Sequence, residues 1–145
     1  MTNAQKCFII QLIAVICGAI GGCMRVSLSR KKLARSFEKY IRLGLDDERL
    51  DVFEVCRRIE RTSSTKAYAK DIFAVWETCR LLRLEGRASE LATFKSVYIG
   101  ALRHGETDIS ASVMRCALDT YYDQRTVYRH LAYVEKKYAL IRKGL

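Results

Sequence analysis

Six cysteines and two histidines are the side chains of this 145-residue sequence best able to hold a metal or act as nucleophiles. The cysteines are Cys7, Cys17, Cys23, Cys56, Cys79 and Cys116, with no C-x-x-C pair among them, so no zinc site is expected from spacing. Cys56, Cys79 and Cys116 fall on apolar periodic faces, where a free thiol behaves as a small hydrophobe; that usage suits a reducing compartment better than a disulfide-stapled domain. His104 with Glu106 and Asp108, in "HGETD" at 104–108, can be drawn as a metal site, but a solvated turn between helices is the commoner use of such a stretch. The consecutive acids of "DDE" at 46–48 point in different directions around a helix. They are expected to open one, where exposed N–H groups and the helix dipole favour negative charge. There is no glycine-rich phosphate loop, H-E-x-x-H or G-x-S-x-G, and His104 and His130 lie far apart without an obvious nucleophile partner. These residues predict no catalysis, no metal and no cofactor.

Binding chemistry is better represented. In "YYDQRTVYRHLAYVEKKYALIRKGL" at 121–145, Val127, Leu131, Val134, Tyr138 and Ile141 recur at helical spacing. At 100° per residue they stay within about 40° of one line, which must face a core. Arg125, Arg129, Ala132, Lys136 and Lys143 lie within about 40° of the opposite line. Four of those five are basic, whereas an ordinary solvated face mixes signs to gain i, i+4 pairs. Asp123 is a natural N-cap for this helix, accepting from the N–H of Arg125 or Thr126. A shorter helix through "SASVMRCALDTYY", with Val113, Cys116 and Ala117 inward and Asp108 or Ser110 as its cap, precedes it across a turn at Tyr121 and Tyr122.

A short helix, a tight turn and a longer helix match the helix-turn-helix arrangement, in which the second helix enters the major groove of DNA. Gln124, Arg125, Thr126, Tyr128 and Arg129 are then the candidate base contacts. Arginine can bond two acceptors on guanine, glutamine can bond one acceptor and one donor on adenine, and threonine offers a methyl or a hydroxyl. Arg115, Tyr122, Lys136, Lys137, Arg142 and Lys143 are the candidate phosphate contacts. The stretch "DQRTVYRHLAYVEKKYA", with "RTVYR" at its centre, resembles the C-terminal helix-turn-helix of phage transcriptional regulators of the RinA/ArpU type, itself similar to region 4 of sigma factors. The resemblance covers roughly the last 40 residues. It implies a small helical regulator of a phage or mobile element, acting at promoters without chemistry of its own, with RNA polymerase as a candidate partner.

The elements that must position these residues read as helices throughout. Proline is absent, glycine numbers eight, and half of the residues are hydrophobic, which suits one all-α bundle joined by short turns. Leu33, Phe37, Tyr40 and Ile41 form a first stripe starting from Ser29 and closed by Gly44. Val52, Val55, Cys56 and Ile59 form a second. "TSST" at 62–65 is expected to cap a third helix carrying Tyr68, Ile72, Val75, Cys79 and Leu82, with Trp76 beside the stripe and Gly86 at its end. Leu91, Phe94, Tyr98 and Leu102 form a fourth. The expected division is an apolar segment at 1–24, a helical bundle at 25–105 and the helix-turn-helix at 106–145.

Net charge is +10, from 26 Lys and Arg against 16 Asp and Glu, which points to a polyanionic partner. Duplex DNA is the first candidate. The second is an anionic membrane surface, because "CFIIQLIAVICGAIGGCM" at 7–24 has no charge and is, at 18 residues, long enough to span a hydrocarbon core. Only Lys6 precedes it, while Arg25, Arg30, Lys31, Lys32 and Arg35 follow, so as an anchor it would leave the remainder in the cytoplasm. Gly18 and Gly22 could favour pairing of such a helix. Two other readings stand beside it: "IGGC" at 20–23 resembles a bacterial lipobox, and Met24 can serve as the start of the domain. The expected location is cytoplasmic, with or without a tether through 7–24. On the membrane reading the whole chain is a helical interaction module whose basic face meets lipid or an acidic partner.

Overall fold

The computed structural model describes residues 30–62, 66–105 and 109–145. Of the described residues, 83% are helical and none lies in a strand, so the protein is all-α. The helices are α1 (Arg30–Arg42), α2 (Val52–Thr62), α3 (Lys66–Leu84), α4 (Ala88–Arg103), α5 (Ser110–Thr120) and α6 (Gln124–Gly144). The apolar stretch 7–24, three of the four residues of "TSST", and Glu106 and Asp108 of the drawn metal site lie outside the described residues. Among the described residues no helix is long and apolar enough to cross a membrane.

The chain divides into two compact units, one holding the described residues up to Glu77 with Lys137–Leu145, the other Thr78–Lys136. The division falls inside α3 and α6.

In the first unit, Leu33, Phe37 and Tyr40 form the buried stripe of α1, with the Phe37 and Tyr40 rings stacked at 5.9 Å. Gly44 ends the helix at φ +67°, a conformation that costs a residue with a Cβ. Arg58 of α2 reaches back to donate to the carbonyl oxygens of Leu43 and Gly44, tying this turn to α2. The acids at 46–48 do not open α2. Asp46 accepts from the Tyr40 hydroxyl at 3.0 Å, and Asp47 accepts from the backbone and side chain of Arg49. The cap is Asp51, which accepts from the N–H of Glu54 at 2.8 Å; it sits directly before the apolar run, where an unsatisfied N–H needs a partner. Val55, Cys56 and Ile59 are buried on α2. Burial pushes the Cys56 thiol up to about 12, with the Glu60 charge adding to it, so this sulfur stays protonated and inert. Thr62 is the last residue of α2, its hydroxyl donating back to the Arg58 carbonyl, and so does not cap α3.

Every residue of α3 from Asp71 to Cys79 is buried, on all sides of the helix rather than along one stripe. That run includes Trp76, in core packing against Phe73 at 5.3 Å. The carboxylate of Asp71 is reached by Arg142 of α6 and by the ammonium of Lys32 of α1, the latter at 3.6 Å. Tyr138 and Ile141 of α6 are buried in this same unit.

In the second unit, Leu91, Phe94, Val97, Tyr98 and Ala101 face inward from α4, with the Phe94 and Tyr98 rings 4.7 Å apart. Leu102, expected on that stripe, is 37% exposed because the inward line passes through Val97 and Ala101 instead. Ser112, Val113, Cys116 and Ala117 are the buried side of α5. The Cap position of that helix is Ile109, with no side-chain cap bond, so Ser110 is its first helical residue rather than its cap. Helices α4 and α5 approach closely at Gly100, where a Cβ would lie 3.1 Å from the Ser112 hydroxyl oxygen.

Candidate nucleic-acid interface

Helices α5 and α6 are joined by three residues, Tyr121, Tyr122 and Asp123. Tyr121 holds the left-handed conformation, φ 60° and ψ 17°, which stops α5. It is also 95% exposed, so its ring contributes nothing to holding the turn. Asp123 then starts α6, its carboxylate accepting from the Thr126 N–H at 2.6 Å. That bond, aided by the Thr126 hydroxyl and by the charges of Arg129 and Arg125, holds the Asp123 carboxyl below its ordinary range. The expected cap is in place, on Thr126 rather than Arg125.

The inward line of α6 is the one its spacing requires: Val127, Leu131, Val134, Tyr138 and Ile141 are all buried. With those five fixed inward, Arg125, Arg129, Ala132 and Lys136 are exposed on the opposite side of the second unit's stretch of α6. Gln124 is exposed at the start of the helix, while Thr126 and Tyr128 are half-buried. Of the expected base contacts, Gln124, Arg125 and Arg129 are therefore the exposed ones.

His130 ties this stretch to α4. The Thr93 hydroxyl lies 3.0 Å from the Ser89 carbonyl oxygen and shares a hydrogen bond with His130 Nδ1, 2.9 Å away. The imidazole also meets the ring of Tyr122 edge-on, centroids 5.3 Å apart. Tyr122 is thereby held at the turn with part of its ring exposed. Glu135, at the margin of the buried line in sequence terms, is in fact buried and accepts from the Tyr98 hydroxyl at 3.2 Å. Arg87 stacks its guanidinium over Tyr133, 4.8 Å from the ring centre. Sequence reasoning missed these three links, because each joins residues about 37 or more positions apart with no local signature.

The expected phosphate contacts divide. Lys136 is exposed beside the arginines. Arg115 is half-buried and donates to the Ser112 hydroxyl at 3.0 Å, which holds it against α5. Lys137, Arg142 and Lys143 belong to the first unit. Arg142 is committed to the buried carboxylate of Asp71 with its side chain 24% exposed, so packing claims the guanidinium that was expected to meet phosphate. Lys137 and Lys143 each interact within the protein as well. Comparison of the chain with profiles of known protein families, with curated proteins and with solved structures found no match.

Proposed function

We propose that the protein is a DNA-binding transcriptional regulator that reads duplex DNA with the first half of α6, presented by α5 and the three-residue turn as a helix-turn-helix. The observation carrying this reading is the exposed sector of Arg125, Arg129 and Lys136 directly opposite a fully buried line on the same helix. A helix about 10–12 Å across suits the roughly 12 Å width of a major groove, and the stretch from Gln124 to Lys136 gives it roughly 20 Å of length to lie there. Arg125 and Arg129 each supply two donors for base edges, Gln124 supplies one donor and one acceptor, and Thr126 and Tyr128 lie beside them. Lys136 and the hydroxyl of Tyr122 supply contacts to the sugar-phosphate walls. The resemblance of "RTVYR" to regulators of the RinA/ArpU type supports the same assignment and adds promoters of a phage or mobile element as the setting, with RNA polymerase as a further partner.

The test is selection of binding sites from random duplex by the whole chain at a stated salt concentration. A regulator enriches one short motif, with each wrong base pair costing about 1–3 kcal/mol. Retention of all duplexes alike would leave a basic surface without readout, and the proposal would fail.

A further inference from the structure

A second exposed surface lies on α5, distinct from the basic sector. Its outward line consists of Ala111, Met114 and Leu118, with Met114 54% and Leu118 71% exposed, and Tyr121, just past the end of the helix, is 95% exposed. Ala111, Met114 and Leu118 fall at helical spacing and carry no polar group, Tyr121 follows them exposed at the end of the helix, and the inward line of the same helix is already satisfied by Val113, Cys116 and Ala117. One flank of the stripe carries Arg115 and Asp119, one turn apart and opposite in charge.

We infer that this stripe is a self-association surface, taken by the same stripe of a second copy of the chain running antiparallel across a two-fold axis near residue 116. Such an axis sets residues equally far on either side of it opposite one another. Met114 then meets Leu118 of the second copy, and Ala111 lies level with the turn that carries Tyr121 of the second copy. Antiparallel pairing also sets like flanks together. Arg115 falls within about 3 Å along the axis of Asp119 of the second copy, an offset a guanidinium stem spans easily. The flank is thus complementary to itself, and an unrelated partner would have to reproduce the same basic–acidic order in reverse. Met114, Leu118 and Tyr121 together offer roughly 400–500 Å² per copy, short of the ~800 Å² per partner of a stable complex. The pairing is therefore weak and concentration-dependent. It does not depend on the DNA-binding reading.

Analytical ultracentrifugation of the whole chain without DNA, from about 10 µM to about 1 mM, tests it. The weight-average mass should rise from 16.7 kDa towards twice that value. Met114→Glu/Leu118→Glu should hold it at the lower value, while Leu84→Glu, at another exposed leucine, should behave as wild type. Asp119→Arg should weaken pairing, and Arg115→Asp/Asp119→Arg should restore it, with helicity checked by circular dichroism. A mass that stays at 16.7 kDa throughout overturns the inference. So does association that survives Met114→Glu/Leu118→Glu, that Leu84→Glu abolishes equally, or that the charge exchange fails to restore.

Discussion

Arg125 and Arg129 stand one helical turn apart, both exposed, on the side of α6 opposite Val127 and Leu131. Truncating either should leave the fold intact, because neither contributes to the buried line. Arg125→Ala or Arg129→Ala is expected to flatten the preference for the selected motif, by about 1–3 kcal/mol at the base pair each reads. Lys136→Ala should instead weaken all duplexes alike and lower the dependence on salt by about one unit of slope. Titrations of matched and scrambled duplexes at several salt concentrations separate the two; wild-type discrimination in both arginine variants would sink the assignment. Asp123 acts at the same scale, on stability. Its carboxyl is held below the ordinary range by the Thr126 N–H, so its contribution is complete above the unfolded value near 4 and fades as pH falls through the lower folded value. The gap in melting temperature between wild type and Asp123→Ala should therefore be widest near neutral pH and close in acid. A gap unchanged down to about pH 2 would assign the loss to something other than the ionised cap.

At the scale of the element, the parts legible in the sequence are those where one local rule acts alone. The five-residue line of α6, the cap at Asp123 and the glycines ending α1 and α3 are each set by spacing or backbone geometry. Reading failed where several residues compete for one role. Asp46, Asp47, Glu48 and Asp51 all suit a helix start, and only Asp51 sits at the right distance from Glu54 to accept its N–H. In α3, periodicity picked out Ile72, Val75, Cys79 and Leu82 but gave no sign that Asp71 and Glu77 would be buried beside them. The crossing of α4 and α5 was equally invisible, and it gives a quantitative test. Replacing a glycine inside a helix by alanine ordinarily gains up to about 1 kcal/mol. At Gly100 the new methyl would meet the Ser112 oxygen at 3.1 Å, and Ser112 is buried and held by Arg115. The two effects oppose, so Gly100→Ala alone should change stability by less than about 0.5 kcal/mol. On a Ser112→Ala background, with the oxygen gone, the same change should recover about 1 kcal/mol. Equal effects in both backgrounds, measured by urea unfolding, would show that the crossing imposes no such limit.

Across the whole molecule, an excess of positive charge must be reconciled with a buried carboxylate, and Asp71 is where that happens in the first unit. Its side chain is 10% exposed, and it draws in Arg142 from near the end of the chain and Lys32 from near the start of the described residues. No sequence spacing announces this trio, since its members are separated by 39 and 71 positions and only the packing of α1, α3 and α6 brings them together. The arrangement also decides the fate of Arg142, which the linear pattern of α6 placed among the basic contacts for phosphate. Removing one member of a fully buried pair costs about 3–5 kcal/mol, because the other charge is left without compensation. Here the guanidinium keeps some water and the ammonium keeps more, so Asp71→Ala is expected to cost nearer 2 kcal/mol. Arg142→Ala should cost less, since Lys32 remains to answer the carboxylate, and it should leave discrimination between DNA sequences untouched. The double variant Asp71→Ala/Arg142→Ala should be more stable than the sum of the two losses predicts, because it no longer leaves the guanidinium stranded. Strict additivity of the three unfolding free energies, or an Asp71→Ala variant within about 0.5 kcal/mol of wild type, would show that the acid does not organise these charges.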